Sequence, residues 1–210
     1  MKYNSPELIF LNGKKLNQKF YLQPTLKIAR ELLGKIIVRR LEDKILAGKI
    51  VETEAYIGED DPACHAYGGI TPRNKVMYLS GGHAYVYFTY GMHYCFNVVT
   101  EKEGFPAAVL IRAVEPIMGI ELMKKFRNTN DINNLTNGPA KFCQAFQIDK
   151  RLNGASLLED EIFIIEPTNT ETFKIVRTPR IGIKQGLDKK WRFFILGNPF
   201  VSKTKPTPKP

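Results

Sequence analysis

The fourteen residues Ala84-Tyr85-Val86-Tyr87-Phe88-Thr89-Tyr90-Gly91-Met92-His93-Tyr94-Cys95-Phe96-Asn97 constrain the fold most. Two runs rich in β-branched and aromatic residues, Tyr85 to Thr89 and Tyr94 to Thr100, flank Tyr90-Gly91-Met92. That pattern predicts a β-hairpin, and therefore antiparallel strands. Further strands are expected at Lys35 to Leu41 and Ile45 to Tyr56, around the turn Glu42-Asp43-Lys44. Others are expected at Ala107 to Val114, Glu161 to Ile165, Lys174 to Val176 and Arg192 to Leu196. Leu26, Ala29 and Leu33 fall on one helical face of Thr25 to Gly34, and Gly34 is a stop signal. Pro116 reads as the opening of a helix through Arg127, and Asn137-Gly138-Pro139 as the opening of another through Phe146. Strands outnumber helices and do not alternate with them. The expected class is α+β with a mostly antiparallel sheet. No G-x-G-x-x-G follows a strand and no G-K-[ST] loop exists, so nucleotide-cofactor folds lose support.

The chain has 210 residues, 43% apolar and 25% charged. These values exclude a disordered, fibrous or disulfide-stapled chain and suit one compact domain. That domain is expected over residues 1–202, followed by a disordered basic, Pro-rich tail over 203–210. Cys64, Cys95 and Cys143 form no C-x-x-C pair, so free thiols in a reducing compartment are expected. The N-terminal stretch shows no apolar secretory segment, and no run is long enough to span a membrane. A cytoplasmic protein with no membrane partner is the expectation.

The net charge is +10. Residues 1–50 hold 11 basic and 4 acidic side chains, and residues 151–210 hold 11 and 6. Residues 51–100 hold only 2 basic against 5 acidic. An acidic, aromatic centre between basic flanks suits a nucleic-acid enzyme, with phosphate contacts on the flanks and chemistry in the centre.

Within that centre, strand alternation puts Glu52, Glu54 and Tyr56 on one face and Val51, Thr53 and Ala55 on the core face. Two carboxylates beside a phenol suit general-base chemistry under a stacked substrate; the plainer reading is a solvated strand face. The Gly- and Pro-rich loop from Asp60 to Asn74 carries Cys64 and His65 in no metal-ligand spacing. Tyr85 and Tyr87 share a strand face. Tyr90, at the hairpin tip beside Met92, is expected to be exposed for a partner, and insertion between bases is one such use. Phe88 and Phe96 read as core. Arg112 lies in an apolar strand and needs a carboxylate, with Glu54 the natural candidate.

The runs Val51-Glu52-Thr53-Glu54-Ala55-Tyr56, His65 with Thr71-Pro72-Arg73-Asn74, Tyr85-Val86-Tyr87, Tyr90-Gly91-Met92, Asn97, Leu110 to Pro116, Asn137 to Ala145 and Gly197-Asn198-Pro199-Phe200-Val201-Ser202 occur in this order. Together they closely resemble the alkyladenine (3-methyladenine) DNA glycosylase family, over about residues 20 to 202. The resemblance implies a barrel-like curved sheet flanked by helices, with a protruding hairpin. It implies a monomeric base-excision-repair enzyme that flips alkylated or deaminated purines out of double-stranded DNA and hydrolyses the N-glycosidic bond. It implies Glu54 as the base that activates water and Arg112 as the residue that helps hold that water. Tyr56, His65 and Tyr87 would stack or read the flipped base, and Asn97 would disfavour the amino group of guanine. Tyr90 would fill the gap in the duplex, with Met92 and His93 touching DNA beside it. No metal or cofactor is implied. No lysine falls in the matched pocket motifs, so no Schiff-base lyase step is expected. Two rivals stay open: a non-catalytic binding module, and a metal-dependent nuclease using Glu52, Glu54 and Asp60.

Overall fold

The computed structural model describes residues 13–169 and 171–203. In chain order the strands are β1 (Lys14–Lys15), β2 (Ile36–Leu41), β3 (Lys44–Ile57), β4 (Ala84–Thr89), β5 (His93–Val99), β6 (Ala107–Met118), β7 (Ile162–Glu166), β8 (Ile175–Thr178) and β9 (Arg192–Ile195). The α-helices are α1 (Gln18–Tyr21), α2 (Thr25–Glu31), α3 (Ile120–Arg127) and α4 (Pro139–Ala145). The expected α+β class holds. One curved sheet runs β1-β7-β2-β3-β6-β5-β4, with β9 added to β3 and β8 to β9. Every pairing among these strands is antiparallel. The path has free ends, so the sheet curves without closing into a barrel.

Strand β3 is the spine. Along one edge it pairs with β6 from Ala47 to Ile57. Its other edge is shared between β2, over Lys44–Lys49, and β9, over Glu52–Glu54. The β3–β6 register slips three times, between Ala47 and Gly48, between Ile50 and Glu52, and between Glu52 and Thr53. At the third slip Glu52 opposes Ala113 and Thr53 opposes Ile111, which leaves Arg112 without a register partner. Such a bulge bends the strand and re-aims its extra side chain.

The core face follows the alternation expected of it. Val51 and Ala55 enter the main apolar cluster with Ile28, Ala29 and Leu32 of the α2 region. The Thr53 hydroxyl donates to the Ala29 carbonyl at 2.6 Å. On β5, Phe96 meets Phe142 of α4, which in turn meets Phe146, at ring separations of 6.1 and 4.8 Å. Burying each such side chain stabilises by roughly 1.5–3 kcal/mol.

Three expectations are corrected. The opposite face of β3 is not solvated, because Glu52 and Glu54 are fully buried. Pro116 does not open a helix. Strand β6 continues to Met118, with Pro116 opposite Gly48. Beyond Leu110 its outer edge carries no strand among the described residues, so a residue without an N–H is tolerated there. Gly119 (φ +78) makes the turn into α3, where a Cβ would meet Leu46 at 2.4 Å. Phe88 is not core; it is 49% exposed, whereas Phe96 is buried as expected. The tail, from residue 204 on, lies outside the described residues.

Candidate active site

The two carboxylates of β3 lie on one face, as the alternation requires, and Arg112 reaches both. Its Nε donates to Glu52 Oε1 at 3.0 Å and its Nη1 to Glu54 Oε2 at 3.2 Å. Arg192 of β9 donates a second guanidinium bond to Glu52 Oε1 at 2.6 Å. The Ser202 hydroxyl and backbone N–H complete the set, at 2.8 and 2.7 Å. Glu52 thus accepts four bonds, three on Oε1 and one on Oε2. Burial works against the charge of Arg112, but the carboxylates of Glu54 and Glu52 outweigh it and hold its pKa above the ordinary value.

Glu54 has a different surround. Oε2 also accepts from the Tyr56 hydroxyl at 2.9 Å, and Oε1 accepts from the Ile181 backbone N–H at 2.7 Å. Burial first, then the Glu54 carboxylate, pushes the Tyr56 phenol well above its usual range, so it remains a donor. Tyr56, Arg112 and Ile181 all line a cleft of about 570 Å³. Glu54 sits directly behind them, one bond from each.

The cleft walls are aromatic. Tyr56, His65, Tyr85, Tyr87 and Tyr90 line it, with Asn97 and Leu110 deeper in the sheet. The His65 ring meets Tyr87 edge-on at 4.5 Å, and its Nδ1 pairs with the Tyr85 hydroxyl at 2.8 Å. Desolvation by this wall, helped by the charge of Arg73, pushes the His65 pKa down to about 4. The imidazole is therefore neutral at pH 7. Asn97 is buried and donates Nδ2–H to the Tyr85 carbonyl at 3.0 Å. Asn74 staples the loop that presents His65: its Nδ2 donates to the carbonyls of His65 and Gly69 at 2.8 and 2.9 Å.

The hairpin tip stands over the cleft mouth. Tyr90 is 82% exposed with φ +51, and Gly91 follows with φ +68. The Met92 N–H closes the turn on the Thr89 carbonyl at 3.3 Å. Positive φ at both central residues is the hairpin turn that matches strand twist, but a bulky residue there is strained. Strain of this kind concentrates at functional sites. Met92 and His93 are exposed but do not line the cleft; with Tyr94 and residues of α4 they border a second hollow of about 300 Å³.

The structure therefore brings Glu54, Arg112, Tyr56, His65, Tyr87, Asn97 and Tyr90 together, and leaves Met92 and His93 beside the tip. Several cleft residues were not singled out for it from sequence: Tyr85, Pro139 and the segment Ile181-Gly182-Ile183-Lys184-Gln185. The matching face of Tyr85 and Tyr87 was a usable signal. The Ile181 donor is a backbone N–H, which no side chain advertises. Lys184 places an exposed lysine on the cleft wall, where the matched motifs had none. Among the described residues, no group of three or more His, Cys, Asp or Glu side chains is placed to hold a metal. No helix among them is long and apolar enough to cross a membrane.

A carboxylate held by three donors behind an aromatic cleft, on a curved antiparallel sheet with a strained hairpin tip, suits hydrolysis beside a stacked base. The family model described as methylpurine-DNA glycosylase (MPG) matches residues 19–199. A protein of Prosthecochloris aestuarii named "Putative 3-methyladenine DNA glycosylase" is 50% identical over 190 residues, 90% of this chain and 91% of that one. A protein of the same name from Chlorobaculum tepidum is 46% identical over 198 residues, 94% and 95% of the two chains. One from Carboxydothermus hydrogenoformans is 50% identical over 191 residues, 90% and 98%. The chain is a DNA glycosylase, a hydrolase of N-glycosyl bonds with DNA as its substrate. It belongs to the methylpurine-DNA glycosylase family.

Proposed function

We propose that this glycosylase excises alkylated and deaminated purines, of the 3-methyladenine, 7-methylguanine and hypoxanthine type, by hydrolysis with a Glu54-activated water. The observation that carries this reading is Glu54 itself: a fully buried carboxylate held by Tyr56, Arg112 and Ile181, immediately behind the cleft those residues line. A base inside a duplex cannot be attacked at its sugar C1′, so it is extruded at a cost of a few kcal/mol, least for damaged or mispaired bases. Stacking on Tyr56, Tyr87 and His65 returns about 1–3 kcal/mol per base. Tyrosine faces add cation–π attraction for positively charged alkylpurines, about 0.5–2 kcal/mol, and a neutral His65 does not oppose it. Neutral hypoxanthine gains nothing from that term.

As the bond to the base breaks, the sugar acquires oxocarbenium character, and a carboxylate beside it is stabilising. Glu54 takes the proton of the attacking water, and Arg112 holds both water and carboxylate. Asn97, fixed through its bond to the Tyr85 carbonyl, disfavours a guanine amino group. Tyr90 occupies the gap left in the duplex, and Met92 and His93 contact the DNA beside it. The enzyme acts as a monomer in this reading. The reaction stops at base release in this reading: Lys184, the lysine on the cleft wall, is exposed to solvent, and a Schiff-base lysine is activated by desolvation. Single-turnover excision of hypoxanthine from a duplex tests the reading. Glu54→Gln is expected to abolish release while still binding the damaged duplex; excision at the wild-type rate would overturn it.

A further inference from the structure

Behind the cleft lies a second buried ion pair that contacts no candidate substrate position. Arg180 donates Nη1–H to Asp61 Oδ2 at 2.5 Å and Nη2–H to Oδ1 at 2.7 Å, and both side chains are fully buried. Burial works against ionisation of Asp61, but Arg180 outweighs it and keeps the carboxyl below its ordinary pKa. A buried ion pair is a poor way to gain stability, since desolvation can exceed the attraction. This one is also incompletely satisfied: Arg180 Nε is buried with no hydrogen-bond partner. Features that cost stability are expected where they serve function.

The contacts of the pair indicate what it serves. Arg180 Nη1 also donates to the Ala55 carbonyl at 2.9 Å, between Glu54 and Tyr56. Its guanidinium lies 4.7 Å from the Tyr56 ring centre and 5.2 Å from that of Trp191. The next residue along the chain, Ile181, supplies the N–H on Glu54 Oε1. Asp61 meanwhile accepts from the Ile57 and Ala63 N–H groups at 3.4 and 3.2 Å, fixing the end of β3 and the start of the loop to His65. Gly186 closes over the pair with φ +66; a Cβ there would meet Arg180 Nη2 at 2.9 Å and Asp61 Oδ1 at 3.4 Å.

We infer that the Asp61–Arg180 pair is a positioning device for the reaction, holding the Ile181 N–H on Glu54 and the Tyr56 ring in the geometry that cleavage needs. In this role the pair depends on Glu54 being the base proposed above. Small misplacements of a reacting group are known to cost large factors in rate. Loss of the clamp is therefore expected to slow cleavage more than it weakens lesion binding.

The test uses the full chain, a hypoxanthine-containing duplex, and three readouts for each variant: single-turnover rate, duplex Kd and Tm. Arg180→Lys keeps the charge but loses the two-pronged bond; its rate is expected to fall by about tenfold or more with Kd within about threefold. Gly186→Ala keeps both charged groups, crowds Arg180, and is expected to show the same split more weakly. Unchanged rates in both variants overturn the inference. So does a parallel loss of rate, affinity and Tm, or failure of both variants to fold, each of which assigns the pair to stability alone. Glu54→Gln run alongside separates the two claims: if it is active, the Glu54 reading fails, whereas if it is inactive and Arg180→Lys is normal, only the positioning role fails.

Discussion

Arg112 Nη1 stands 3.2 Å from Glu54 Oε2 while its Nε is committed to Glu52 at 3.0 Å. One guanidinium, freed from strand register by a bulge, therefore ties a structural carboxylate to the candidate base. The two glutamates differ by two positions in sequence but have different neighbours: Glu52 is held by two arginines and Ser202, and Glu54 by three residues that line the cleft.

Removing Glu52 should therefore be a stability change first. Glu52→Ala strands Arg112 and Arg192 without their shared carboxylate. Breaking a buried pair from one side costs about 3–5 kcal/mol. Urea denaturation is expected to show a loss of that size, larger than for removal of an exposed pair such as Lys44–Asp43. Equal, small losses would contradict the assignment.

Tyr90 should trade stability for function in the other direction. A left-handed non-glycine residue costs about 1–2 kcal/mol; glycine relieves that strain, and its larger unfolded-chain entropy offsets part of the gain. Tyr90→Gly is expected to leave stability unchanged or raise it by up to about 1 kcal/mol, while excision from duplex DNA falls. Unaltered affinity and excision would remove the intercalation role.

The strands and the hairpin were legible because their local chemistry is consistent: alternating apolar residues, a turn Gly at position 91, and aromatic runs. The chemistry of the face carrying Glu54 was legible only in part. Alternation correctly put Glu52, Glu54 and Tyr56 together, yet could not show that the face is buried. Its cover comes from Ile181, Arg192 and Ser202, which are 127, 140 and 150 residues from the carboxylates they bond. The Gly197 to Ser202 motif is explained only in three dimensions, where Asn198 bonds Glu115 at 2.7 Å and Ser202 reaches Glu52. Pro116 misled because proline fits both a helix start and a strand edge without a neighbour, and nothing local separates the two.

His65 gives a pH signature. Its pKa is lowered from 6.5 to about 4 by desolvation and by Arg73. The folded protein thus binds its proton less readily than the unfolded chain. The sign follows: this contribution to stability is intact above pH 6.5 and is lost as pH falls from 6.5 toward 4. His65→Gln should flatten stability across that window, and an NMR titration of the imidazole should have its midpoint near 4. A midpoint near 6.5 would contradict the enclosed, neutral ring.

Lys184 makes the product a sharp test of the chemistry. A lysine-dependent route would leave a covalent adduct trapped by borohydride and a nicked strand. Hydrolysis leaves an abasic site and no adduct, and Lys184→Ala is expected to release base as the wild type does; a borohydride adduct that Lys184→Ala abolishes would contradict the hydrolytic route.

The central claim is metal-independent hydrolysis by water activated at Glu54. The most direct measurement is product analysis of a hypoxanthine-containing duplex incubated with excess EDTA. The wild-type chain is expected to release free hypoxanthine and leave an unbroken abasic strand, and Glu54→Gln is expected to release none. Loss of wild-type activity in EDTA, direct strand cleavage, or full activity of Glu54→Gln would contradict the account.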